Sequence, residues 1–139
     1  MNWLDDDPVE KLSEEESWAF LKTQEFARLA FAIAGDPYIV PINIYSQDGR
    51  IYFRTAEGSK LVGITVNDRV ALEVDLIEGS TATSVIVNGS ARELDRDREY
   101  EFADSLPLRS WVPTLKYHYI EITCEEISGR RFRLGDLPD

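Results

Sequence analysis

From Arg28 onward the chain reads as a series of strand-length apolar runs broken by turn residues. Arg28-Leu-Ala-Phe-Ala-Ile-Ala34 is the first, closed by Gly35-Asp36 as a two-residue turn. Pro37 to Tyr45 follows, rich in β-branched and aromatic residues. Asp48-Gly49 is a hairpin signal, and Ile51 to Thr55 alternates behind it as a third strand. Arg69 to Asp75 and Thr83 to Leu94 are the fourth and fifth, with Gly89 a bulge or bend in the fifth. Tyr117 to Ile122 is the sixth, and Glu126 to Arg133 continues it or forms a short tail.

Helical signals are few and short. Ser13-Glu-Glu-Glu16 reads as a capping box that opens a helix over about 14–23, with Trp18, Phe20 and Leu21 on its apolar side. Gly58-Ser59-Lys60 opens a second over about 60–67. Gly63, Thr65 and Val66 make it intrinsically poor, so packing must support it. Residues 96–106 read as a third, and Trp111-Val-Pro113 as a loop. Residues 1–12 are expected to form a loosely held arm. There is no internal repeat and no linker, so 1–139 is expected to be a single domain that is mainly β. Six strands of this kind suggest a closed or split antiparallel barrel, because closure removes exposed edges.

Composition narrows the function classes. Fifteen basic residues against 26 acidic ones leave a net charge of −11, a surface that repels nucleic acid and anionic lipid. The single cysteine, Cys124, excludes an intramolecular disulfide. One cysteine and one histidine together exclude the usual zinc-ligand sets, so no metal site is expected. The acidic N-terminus has no apolar core of a signal peptide, and Leu29 to Gly35 is too short to span a bilayer. A cytoplasmic protein is the expectation.

His118 stands in an aromatic run, Tyr117-His-Tyr-Ile120, without a nucleophile elbow, and reads as structural. Neither a Walker A motif nor a dinucleotide glycine fingerprint is present. Two other features carry chemistry. Arg54 and Thr55 end a strand, and Ser59 and Lys60 begin the next helix. A guanidinium, an ammonium, two hydroxyls and helix N–H groups fall within seven residues, the makings of a phosphate site or simply a capped helix with surface bases. Pro41 interrupts an apolar strand and cannot donate to a ladder, so that strand is an edge or bulges there. Backbone groups of Val40, Ile42 and Asn43 then face something else. A flat heteroaromatic ligand and plain solvent fit this equally.

Arg28-Leu-Ala-Phe31, Pro37-Tyr-Ile-Val-Pro-Ile-Asn43, Ile51-Tyr-Phe-Arg-Thr55, Gly58-Ser-Lys-Leu61, Arg69-Val-Ala-Leu-Glu-Val74, Ser84-Val-Ile-Val-Asn-Gly-Ser-Ala91, Trp111-Val-Pro113 and Ile127-Ser-Gly-Arg130 follow in order. In this order the chain resembles the pyridoxamine 5′-phosphate oxidase-like, FMN-binding split-barrel family, near the nitroimidazole-resistance (Nim-like) proteins. The resemblance implies a six-stranded antiparallel split β-barrel and a homodimer with FMN at the subunit interface. It implies that the Val40, Pro41, Ile42 and Asn43 strand lines the flavin ring. It also implies that Arg54, Thr55, Ser59 and Lys60 hold the phosphate, Ser84 lies near the ring, and Trp111 packs on it from the partner. The implied activity is two-electron redox of a small planar substrate. The alternatives are an F420-dependent reductase on the same barrel and a non-enzymatic flavin-binding dimer. Haem, which some relatives bind, would have only His118 as a ligand. The basic run Arg130-Arg-Phe-Arg133 does not match the substrate motif of the oxidases proper, so pyridoxal phosphate synthesis is not assigned. Neither the physiological substrate nor the electron donor is legible in the sequence.

Overall fold

The structure is a computed structural model that describes residues 9–56, 68–108 and 117–135. The expected helix at about 60–67, Ser59, Lys60 and the Trp111 loop lie outside these residues. In chain order the elements are β1 (Val9–Leu12), α1 (Glu14–Lys22), β2 (Phe26–Ile33), β3 (Asp36–Asn43), β4 (Tyr45–Gln47), β5 (Arg50–Ala56), β6 (Arg69–Glu78), β7 (Thr81–Glu93), α2 (Tyr100–Asp104) and β8 (Tyr117–Arg133). All strands join one antiparallel sheet in the order β3-β2-β6-β7-β8-β5-β4, with β1 added to β8.

The sheet is split rather than closed. Its end strands β3 and β4 are consecutive in the chain, joined at Ile44, whose N–H donates to Glu25 O at 2.9 Å. One extended stretch thus pairs with β2 along its first part and with β5 along its last. Between them β3 touches β5 without joining its ladder, and this seam is the split.

Among the described residues eight strands form where six were expected, for two reasons. The Pro37–Tyr45 run divides at Ile44 into β3 and β4. Val9–Leu12, expected to belong to an arm, pairs with Gly129–Phe132 of β8 as β1. The two last expected segments are one strand, the 17-residue β8. The helix expected over 96–106 shortens to α2.

Turn chemistry sets the hairpins. Asp48 (φ 52°) and Gly49 (φ 74°) join Gln47 to Arg50 as a type I′ turn. The β2–β3 turn is Ala34-Gly35, one residue earlier than expected, because Ile33 pairs with Asp36; Ala34 takes a φ of 52°. The bulge expected at Gly89 is present, as a register shift after Asn88. A Cβ on Gly89 would lie 2.2 Å from the Thr123 carbonyl oxygen, so only glycine fits that crossing.

The interior is apolar. Leu29, Phe31, Ile42, Ile51, Phe53, Leu72, Val74, Val85, Val87, Ile120 and Ile122 fill it, each buried. Helix α1 covers one end of the barrel. Its capping box is present, with Ser13 Oγ accepting from Glu16 N–H at 3.0 Å and Glu16 Oε1 accepting from Ser13 N–H at 2.9 Å. Leu21 enters the core, and Trp18 and Phe20 pack on its rim. A second cluster, Tyr52, Leu94, Ala103 and Tyr119, lies under α2 on the outer side of β5 and β8. Among the described residues no helix is long and apolar enough to cross a membrane.

Candidate functional site

Strand alternation sorts the sequence-predicted residues onto two sides of the sheet. Ile42 is buried in the core and Val40 packs against it, so their side chains point inward. Only their backbone can meet a ligand outside. Pro41 and Asn43 point outward, exposed and partly buried respectively. Pro41 sits on β3, which ends the hydrogen-bonded path, and its pairing with β2 is unbroken from Phe26–Asn43 to Ile33–Asp36. The edge position accommodates proline; no bulge is needed.

Ser84 on β7 points outward too, and the sheet register brings it toward Pro41 through a charged cluster. Pro41 pairs with Arg28, Arg28 with Glu73, and Ser84 with Asp75. One guanidinium nitrogen, Arg28 Nη1, donates to both Glu73 Oε1 (2.8 Å) and Asp75 Oδ2 (2.6 Å). Ser84 Oγ donates to Glu73 Oε2 at 3.1 Å. Burial and the neighbouring Asp75 carboxyl raise the Glu73 pKa above its ordinary value. Hydrogen bonding to Glu73, and then to Arg28, lowers that of Asp75. Around this cluster the outward face is apolar. Phe26, Ile39 and Ile86 are 47%, 66% and 42% exposed.

Arg54 adjoins this face across the seam. Tyr45 pairs with Tyr52, and two residues further along each strand come Asn43 and Arg54 on the same side. The Arg54 guanidinium lies 4.9 Å from the centre of the Tyr117 ring. Tyr117 and Tyr119 both donate hydroxyls to Asp104 Oδ1, at 3.3 and 2.6 Å. Burial and this carboxylate raise the Tyr119 pKa. Thr55 is buried on the opposite side of β5 from Arg54, in register with His118. His118 Nδ1 contacts Glu93 Oε1 there, at the barrel end remote from α1. Arg54 and Thr55 are therefore brought together by sequence but not by side-chain direction.

Sequence reasoning passed over Arg28, Glu73 and Asp75. Alternation in β6 shows that Glu73 and Asp75 share a face, but their convergence on Arg28 depends on the pairing of β2 with β6. Three cavities of 210, 340 and 380 Å³ border α1, and the predicted residues line none of them. Every buried side-chain polar atom among the described residues has a hydrogen-bond partner. Among those residues no group of three or more His, Cys, Asp or Glu is placed to hold a metal.

The split antiparallel barrel is also the fold of solved proteins described as FAD-binding. The sequence profile of pyridoxamine 5′-phosphate oxidase matches residues 13–131, and the chain belongs to that family. A Corynebacterium glutamicum structure, provisionally assigned as a pyridoxamine 5′-phosphate oxidase, is 35% identical with a TM-score of 0.82, covering 94% of this chain and 98% of that one. An FAD-binding protein of Mycobacterium smegmatis is 36% identical with a TM-score of 0.81, over 91% of this chain and all of its own. A Bacteroides thetaiotaomicron structure named for 5-nitroimidazole antibiotic resistance has a TM-score of 0.70 at 13% identity, over 89% of this chain and 87% of its own, a likeness of fold.

Proposed function

We propose that this protein is a flavin-dependent oxidoreductase that binds its cofactor on the outer face beside the β3–β5 seam and acts as a homodimer. The observation that carries this reading is the shared face. Pro41, Asn43 and Ser84 point to the same side of the sheet as Arg54, amid Phe26, Ile39 and Ile86. The residues fit the group. Apolar side chains flanking the charged cluster suit an aromatic ring, Asn43 and Ser84 offer rim hydrogen bonds, and Arg54 offers the phosphate a forked cation. In the same reading Ser59 and Lys60 complete the phosphate site, and Trp111 of a second copy covers the ring. Phe26, Ile39 and Ile86 are exposed in a single chain, and pairing of two copies would bury them.

When bound, the flavin supplies two-electron chemistry, and the protein orients ring and substrate and excludes water. The FAD-binding relative supports a flavin cofactor and makes FAD a candidate beside FMN. The substrate class that suits an open ring face is a small planar electron acceptor.

The decisive experiment is the absorption spectrum of the purified protein, with the released cofactor identified by mass spectrometry. Flavin bands with FMN or FAD released support the reading, and a deazaflavin band would replace it with the F420 alternative. Reconstitution titrations with FMN, FAD and F420 apply if the protein purifies colourless. Light scattering should give about twice the 15.9 kDa chain mass. A strict monomer that still binds flavin would remove the partner from the site.

A further inference from the structure

The hydroxyl of Ser84 has one hydrogen and two lone pairs. Toward an ionised Glu73 it has one option, to donate, and its contact at 3.1 Å with Glu73 Oε2 has that geometry. The hydrogen is then committed inside the sheet face, and Ser84 presents lone pairs outward. A proton on Glu73 loosens this, since the carboxyl then donates to the Asp75 carboxylate, its neutral oxygen accepts more weakly from Ser84, and the serine hydrogen is released to the outer side.

We propose that the Glu73–Asp75 pair, clamped by Arg28, is a protonation switch that sets whether Ser84 donates or accepts hydrogen bonds on the outer face, and so sets flavin affinity. The inference rests on the flavin reading given above. Two carboxyl groups share one guanidinium nitrogen here, so the ionised trio carries a net negative charge that a single proton neutralises. The raised Glu73 pKa agrees with that proton residing on Glu73. The surroundings add little that titrates in the same range. Arg28 faces the pair from β2, Arg130 on β8 stands opposite Ser84, and both arginines stay charged. From β7 come Ser84 and the apolar Ile86, and from β3 Pro41 and the uncharged Asn43.

The direction follows from the ring. The rim of an oxidised flavin has several acceptors, its carbonyl oxygens and ring nitrogens, and one imide N–H donor. A donating Ser84 suits more of that rim than an accepting one. Affinity should therefore rise as pH falls through the titration of Glu73.

FAD is the suitable probe, because its diphosphate keeps its charge between pH 5 and 8, whereas a phosphate monoester takes a second proton near pH 6. Fluorescence titration of the full chain with FAD, at constant ionic strength, should show a Kd that tightens about two- to tenfold as pH is lowered from 8 through the titration of Glu73, the worth of one hydrogen bond. Glu73→Gln imitates the protonated carboxyl and should hold the tight value at every pH. Ser84→Ala should hold the weak value at every pH. Asp75→Asn removes the charge that holds the proton on Glu73 and should move the midpoint to lower pH. Melting temperatures report whether each variant is folded. If Ser84→Ala or Glu73→Gln keeps the wild-type slope, this inference fails while the flavin reading stands. A folded wild type that binds no flavin at any pH overturns both.

Discussion

Replacing Arg54 by glutamine tests the phosphate end of the proposed site. The residue lies near the end of β5, outward, with its guanidinium 4.9 Å from the Tyr117 ring centre. Two losses follow, and they separate. The cation–π contact is worth about 0.5–1 kcal/mol at a partly exposed site, and its loss appears in the thermal stability of the ligand-free protein. A hydrogen bond to a charged group is worth about 1.5–3 kcal/mol, and its loss appears only with a phosphate present. At 1.4 kcal/mol per decade, FMN should bind the variant about 10–100-fold more weakly. Riboflavin, which lacks the phosphate, should bind within about twofold of wild type. Arg54→Lys keeps the charge but loses the fork, and its affinity for FMN should fall between the two. Raised salt should narrow the difference between FMN and riboflavin, because a partly exposed ion pair is screened. The assay is fluorescence titration of both flavins against the three proteins. Equal losses for FMN and riboflavin, or no loss for either, would take Arg54 out of the phosphate site.

Three further substitutions probe the frame that holds this face. Ala34 occupies a left-handed turn position, so Ala34→Asn should stabilise the protein by about 0.5–1 kcal/mol in urea unfolding; no gain would mean the turn is not strained there. Gly89→Ala drives a Cβ against the Thr123 carbonyl oxygen and should cost about 1–3 kcal/mol on thermal melting, with an unchanged melt contradicting the crossing of β7 and β8. Glu99 is held down at about 2 by hydrogen bonds from Arg92 and then from Asp95 N–H. Its contribution is present above the ordinary glutamate value and is lost as pH falls toward 2. Arg92→Met should therefore flatten the fall in melting temperature between pH 4.5 and 2.5, and an unaltered slope would deny Glu99 that role.

The parts of the fold that local chemistry decides are the parts the sequence shows. Ser13 and Glu16 cap α1 through neighbours three residues apart, and Asp48-Gly49 fixes its own turn; both follow from adjacent residues alone. Pro41 correctly marks an edge because its missing N–H is a local fact with a sheet-wide consequence. Val9–Leu12 escaped notice because its pairing with β8 is made over a hundred residues away, where Gly129 leaves room for Leu12 and Ser17. The same holds for the site. Alternation orients Asn43 and Ser84, yet Arg28 joins Glu73 and Asp75 through a pairing of distant strands that no local pattern encodes. Thr55 and Arg54 show the converse, since neighbours in sequence on a strand face opposite ways.

The position of the proposed site follows from the economy of a small barrel. The interior is taken up by aliphatic and phenyl side chains, α1 seals one end, and His118 with Glu93 occupies part of the other. A ring the size of an isoalloxazine could enter only by displacing the core that stabilises the fold. Cofactor chemistry in such a chain is therefore expected on the outside, where the sheet supplies rigidity but one surface only. An outer face gives a ring orientation and hydrogen bonds, but it cannot by itself exclude water. A second copy laid on the same face would supply the missing wall and bury Phe26, Ile39 and Ile86 in the same step. Polar residues across those three positions, as in Ile39→Lys, should then weaken self-association and flavin affinity together, although none of the three carries a hydrogen-bonding group. Loss of one without the other would show that ring binding and pairing use separate surfaces.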